Sequence, residues 1–239
     1  MTHQDLDALD AGLRAVQRAA LDLVARLGLA EVELPPDLRR LEGTIRGLPV
    51  AMPLRRFAGG AFAALTLATI VDRDDRLHAV TIIGTPADDS LAPILGVDLV
   101  ALAGSLSLVA VDLAPTDDAT WSATAEPRLA SLHRATEGRI VARRWPEFAA
   151  EVFSPRALLA GVQRVHTSAV LEAIAEFVVG LAPIFAPTSA ADPTRRTAAR
   201  ERGVRWRLAE RRNRREHDAL ARIFGADPAA ALIDLLFPG

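Results

Sequence analysis

The chain contains no cysteine and no lysine: all 28 of its basic residues are arginine. The first absence excludes disulfide frameworks, thiolate metal sites and cysteine nucleophiles. The second, together with abundant alanine, marks a compositional bias, so a single arginine carries less weight here than it ordinarily would. Long apolar runs are missing too. No stretch reaches the roughly 18 uncharged residues that a membrane-spanning helix needs. The N-terminus, MTHQDLDALD, is acidic and periodic rather than basic and then apolar as a signal peptide would be. These features predict a cytoplasmic protein without membrane contact. The net charge is only −2, which gives no global electrostatic reason to bind nucleic acid.

Functional signatures are equally sparse. Glycine-rich phosphate loops, HExxH, GxSxG and calcium-loop patterns do not occur, so the common nucleotide, metalloprotease, hydrolase and calcium chemistries lack their physical parts. The five histidines (His3, His78, His133, His166, His217) are scattered singly, and no metal site is predicted.

What is present is patterned apolar sequence, in a chain of 239 residues that is half hydrophobic and long enough for one domain over 1–239. Leu6, Leu9, Leu13, Val16, Ala20, Leu23 and Leu27 alternate in steps of three and four before Gly28, which predicts a helix within 1–30 packed on a sheet. Leu34-Pro35-Pro36 ends that segment. Strands are predicted over 48–56, 62–71 and 77–83, within a sheet core spanning 41–116, and the polar segment 72–76 makes the turn between the last two. If Val71 pairs with Leu77 across that turn, Thr66 and His78 point to the same face. Ser154-Pro155 carries the start signature of a helix running to about Leu181, and the half over 154–237 reads as helical. Arg195 to Arg222 holds eleven arginines and reads as a solvated helix. Strands in the middle and helices at both ends predict an α+β fold, a three-layer α/β/α sandwich around a mainly antiparallel sheet.

The sheet's centre carries the chemistry. Leu91 to Thr116 contains two apolar runs, each with a carboxylate, Asp98 and Asp112, where charge is expensive. Burial raises a carboxyl's pKa and keeps a proton on it. Asp98 at the lip of its strand is thus a candidate proton donor. Asp112, shortly before Ala114-Pro115, reads as a structural residue that caps the following turn.

The order and spacing of Leu34-Pro-Pro-Asp-Leu38, Leu41-Glu-Gly43, Pro93-Ile-Leu-Gly-Val-Asp98-Leu-Val, Ala110-Val-Asp112-Leu-Ala-Pro115-Thr, Glu151-Val-Phe-Ser154, Ile223-Phe-Gly225 and Leu235-Leu-Phe237 resemble the ferredoxin-dependent bilin reductases, nearest to the members that form phycocyanobilin. The resemblance implies a biliverdin-type linear tetrapyrrole held between the sheet and the C-terminal helices. It also implies single electrons from reduced ferredoxin and no bound cofactor. Asp98 matches the family's catalytic aspartate and His78 its active-site histidine, so the resemblance implies that these two share or relay a proton. Counting back from Phe153-Ser154 and Phe224-Gly225 puts Arg144 and Arg215 at substrate-binding positions, with Arg143 and Arg211 as neighbours that can substitute.

Two departures stand out. Thr66 occupies a position where phycocyanobilin-forming members carry a carboxylate, and Asn213-Arg214 replaces the family's common Asn-Asp. Both imply a two-electron reduction, or a different regiochemistry, rather than the full four-electron reduction. A non-catalytic bilin carrier on the same fold is the alternative. Nucleic-acid binding through Arg195 to Arg222 is disfavoured, because only Trp206 interleaves aromatic surface there; the same basic face suits an acidic ferredoxin. A monomer is expected.

Overall fold

The computed structural model describes residues 3–71, 77–144, 149, 152–186 and 192–238. The expected turn over 72–76, Glu151 of the Glu151-Val-Phe-Ser154 motif, and positions 187–191 of the stretch 183–193, which is rich in Pro, Ser and Ala and reads as a linker or loop, lie outside the described residues. Helix α1 (His3–Arg26) buries Leu9, Leu13, Val16, Ala20 and Leu23, the stripe expected from the sequence. Gly28 ends the segment at φ +62, a conformation that glycine adopts without steric cost, while Leu29 N bonds Val24 O.

Among the described residues, nine strands form one sheet: β1 (Ala30–Val32), β2 (Arg40–Ile45), β3 (Leu48–Gly59), β4 (Phe62–Val71), β5 (Leu77–Pro86), β6 (Ile94–Leu102), β7 (Ser105–Ala114), β8 (Ile140–Ala142) and β9 (Leu158–Val162). The order is β1-β3-β4-β5-β6-β7-β9-β8, with β2 also paired to β3, and every pair is antiparallel. Short α2 (Pro36–Arg39) precedes β2.

Side chains alternate across a sheet, and here both faces are covered. Leu65, Leu67, Val80, Ile82, Val97, Leu99, Val109 and Val111 pack under α1, α3 (Asp118–Thr136) and α4 (Thr167–Val179). Leu54, Ala68, Ile70, Leu77 and Ala79 point the other way, under α5 (Pro193–Glu210), α6 (Arg214–Phe224) and α7 (Ala226–Leu236), where they meet Trp206, Phe224, Leu232, Ile233, Leu236 and Phe237. The expected α/β/α sandwich is therefore the fold. Each large side chain so buried contributes about 1.5–3 kcal/mol, which is why β5 can bury four consecutive residues, Leu77 to Val80.

Two sequence expectations are corrected. Residues 154–181 are not one helix: Leu158, Ala160 and Val162 alternate as buried residues of β9, which pairs with β7, and the helix begins only at Thr167. In the β4–β5 hairpin, Val71 lies opposite His78 rather than Leu77. That slip of one residue moves His78 to the face opposite Thr66.

Two contacts fix the C-terminal helices over the sheet. Gly43 of β2 runs so close beneath α6 that a Cβ would lie 2.1 Å from Ile223 O. Because that neighbour is backbone, Gly43→Ala is expected to cost about 1–3 kcal/mol and to displace α6, read as a lower thermal midpoint. The second contact is a set of arginines at the C-terminal end of α7. Arg56 donates to Leu235 O (2.6 Å), Arg211 to Phe237 O (2.9 Å) and Arg207 to Pro238 O (3.0 Å), where unpaired carbonyls carry the negative end of the helix dipole.

Candidate active site

The strand registers determine which residues can meet. Thr81 lies opposite Asp98, and Asp98 opposite Ala110, so all three share one face. Thr66, opposite Arg56 and Ile83, belongs to that face, as does Asp112 through its pairing with Gly96. It is the face covered by α5, α6 and α7. Gly96 leaves an opening there: no described atom lies within 4 Å of where its Cβ would stand. Asp98 is two residues along the strand from that gap, and Asp112 is directly across it.

Asp98 accepts a hydrogen bond from Thr81 Oγ1 at 2.8 Å, which fixes the plane of its carboxyl. Burial raises its pKa, and the Thr81 bond offsets only part of that rise. Asp112 is engaged differently. Its Oδ1 accepts from Leu113 N (2.8 Å) and Ser154 Oγ (2.5 Å), and its Oδ2 from Ser154 N (2.9 Å). Burial still pushes it up to about 6. Asp112 is thus structurally anchored, but to the remote Ser154 and to Leu113 within its own strand rather than as the expected cap of the Ala114-Pro115 turn.

The helical roof brings two further carboxyls that the sequence reading missed. Glu210 closes the buried stripe of α5, after Ala199, Gly203 and Trp206, and is 6% exposed. Desolvation, with Glu216, Asp98 and Asp112 adding repulsion, pushes it up to about 8. Glu216, in the first turn of α6, is pushed up to about 7 by burial and by Asp98. Asn213 caps α6 and donates Nδ2 to Glu216 Oε2 at 3.1 Å. An Asn213-x-x-Glu216 spacing is a capping-box pattern and was the readable signal for this pair. For Glu210 the signal was an acid at helical spacing from Trp206. Among the described residues, no three acidic or histidine side chains converge closely enough to hold a metal ion.

The remaining expected site residues divide. Thr66 is buried on the Asp98 face. His78 is on the opposite face, its Nδ1 3.8 Å from Asp10 Oδ1 of α1, so the sheet separates it from Asp98 and the expected proton-sharing pair is not formed. Thr81 holds the place beside Asp98 instead. Asn213 orients Glu216, whereas Arg214 and Arg215 are exposed in the first turn of α6. Arg144 is exposed beyond the end of β8. It is Arg143 whose guanidinium lies over Gly161, Nε 3.5 Å from that glycine's Cβ position. Arg211 belongs to the clasp on α7 and also lines, with Val152, Arg205, Leu208 and Arg212, an open cavity of about 520 Å³.

The arginines of α5 are largely paired. Arg195 holds Asp117 and Arg202 holds Asp118 at the start of α3, both at 2.5 Å, and Arg211 holds Asp234 at 2.5 Å. Arg195 and the Thr120 amide keep Asp117 down at about 2. This stretch thus works as a clasp between layers rather than as a uniformly solvated face. Among the described residues, no helix is long and apolar enough to cross a membrane.

A sandwich with protonatable carboxyls on one sheet face, beneath a helical roof, suits a protein that gives protons to a ligand held between layers. The chain belongs to the ferredoxin-dependent bilin reductase family, whose sequence profile matches residues 17–238. Among solved structures it is similar to phytochromobilin synthase from tomato in complex with biliverdin, with a TM-score of 0.71 and 14% identity over 94% of this chain and 82% of that one. At that identity the likeness is one of fold. No curated protein sequence matches the chain.

Proposed function

We propose that the protein reduces a biliverdin-type linear tetrapyrrole by two electrons, taken singly from reduced ferredoxin, with Asp98 as proton donor and no cofactor bound to the chain. The observation that carries this reading is the half-buried Asp98 carboxyl, raised in pKa by desolvation and steadied by Thr81 on the sheet face under the helical roof.

A conjugated tetrapyrrole that accepts an electron becomes a radical anion, and its basicity makes proton supply the protein's main task. A carboxyl that stays protonated near neutrality meets that need, whereas the Thr66 hydroxyl does not. The sheet surface is open at Gly96, two residues from Asp98, and one edge of the flat chromophore would approach there. The substrate's propionates meet the positive charge of Arg205 and Arg212 at the cavity, which also offers apolar contact through Val152 and Leu208, while Arg211 stays on Asp234 and Phe237 O. Arg205 and Arg212 take the role expected of Arg144 and Arg215.

The test is an anaerobic titration with biliverdin, followed by ferredoxin, its reductase and NADPH, with the product identified by chromatography. The expected results are a shifted visible spectrum on binding, then conversion to a two-electron-reduced bilin. A bound pigment that ferredoxin leaves unchanged would instead mark a non-catalytic carrier, and an unshifted spectrum would remove the bilin altogether.

A further inference from the structure

We propose that Glu210 is a second proton donor to the bound bilin, acting from the helical roof while Asp98 acts from the sheet. This inference rests on the reductase reading.

Each two-electron reduction consumes two protons, and among the candidate donors only Asp98 has been given a part so far. Asp112 is unsuited, since both of its oxygens hold the Ser154 segment and Leu113. Glu216 is oriented by Asn213. Glu210 differs from both: it is 6% exposed, and among the described residues no hydrogen-bond donor or cation reaches its carboxyl. An ionised carboxylate in that position would be costly, so the neutral acid is the resting form. The charged groups that act on it are Glu216 from α6, Asp98 from β6 and Asp112 from β7, all acidic, and each favours retention of the proton.

A second observation points to a ligand at this place. One turn before Glu210 on the same buried stripe, Trp206 is 5% exposed, and its Nε1 has no acceptor among the described residues. A buried donor without an acceptor, one turn from a buried acid within electrostatic reach of Asp98 and Asp112, is what a removable polar ligand would satisfy. A bilin's lactam oxygens and pyrrole nitrogens supply that chemistry.

The sequence balances as follows. The first electron from ferredoxin gives the radical anion, which takes the Asp98 proton and becomes a neutral radical. The second electron gives an anion that takes the Glu210 proton. The product has gained two electrons and two hydrogens, and both carboxylates are reprotonated from solvent.

The experiment compares wild type with Glu210→Gln in anaerobic turnover of bound biliverdin, following the radical by electron paramagnetic resonance and the product by absorbance. Glu210→Gln is expected to bind pigment with little change. Its radical should persist, and product formation should slow at least about tenfold. In wild type the rate should fall as pH rises through about 8, where Glu210 loses its proton. That alkaline limb should vanish in the Gln variant and return, displaced, in Glu210→Asp. Turnover of Glu210→Gln at the wild-type rate with an unchanged pH profile would overturn the proposal alone. Should the Gln variant fail to fold, an alkaline limb shared unaltered by wild type and Glu210→Asp would also overturn it. Absence of bilin reduction by wild type would overturn the reductase reading and, with it, the donor.

Discussion

Asp98→Asn retains bound bilin and loses turnover by about 10²–10⁴-fold, the contribution usually made by a positioned general acid. The amide preserves the shape of the side chain and can still accept from Thr81 Oγ1, so the pigment's pocket and the local sheet register are kept. What disappears is a proton that can be transferred. Stopped-flow spectra should therefore show unaltered binding, then a stalled one-electron species in place of product. Thr81→Val is expected to act more mildly, since the carboxyl would remain but lose its fixed plane. If Asp98→Asn turned over at the wild-type rate, the donor would have to be sought among the acids of the roof.

The second large effect concerns stability and pH. Asp112, Glu210 and Glu216 all have pKa values raised by burial, to about 6, 8 and 7. The folded protein then holds protons that the unfolded chain releases once pH exceeds the ordinary carboxyl range. Their stabilising contribution is complete below that range and is lost as pH rises through these values. Glu210 alone accounts for a fall on the order of 4 kcal/mol by about pH 8. Asp117 has the opposite sign: held at about 2 by Arg195, it supports the fold above the ordinary aspartate range and loses that support only in strong acid. Urea denaturation should show a clear loss of stability between pH 5.5 and about 8.5. Glu210→Gln should flatten the slope, because the amide has no proton to lose. A pH-independent midpoint across that interval would contradict the buried, neutral carboxyls described above.

The sheet and its central acids were legible because alternation and punctuation are local. In the 62–71 strand Leu65 and Leu67 alternate with Thr66 and Ala68, and Ala114-Pro115 closes the strand that carries Asp112. His78 was misread because its face depends on where the preceding turn begins, and one residue of slip inverts the outcome. Leu158, Val162 and Val165 fit helical spacing as well as Leu158, Ala160 and Val162 fit a strand, and a short apolar run does not choose between them; pairing with β7 does. Glu210 was hidden for another reason. The inward stripe of α5 uses Ala199 and Gly203, residues too small to register as an apolar face, so its eleven-arginine surroundings dominated the reading.

The clasp of Arg56, Arg207 and Arg211 on α7 also bears on how this roof tolerates change. Its acceptors are main-chain carbonyls of Leu235, Phe237 and Pro238, present whatever side chains those positions carry. The latch is therefore asymmetric in inheritance: drift at the three acceptor positions leaves its hydrogen bonds available, whereas the loss of any one guanidinium removes a strut outright. Since Arg56 rises from the sheet, Arg207 from α5 and Arg211 from the residue that follows α5, the spacing between floor and roof is written in three codons of the donors.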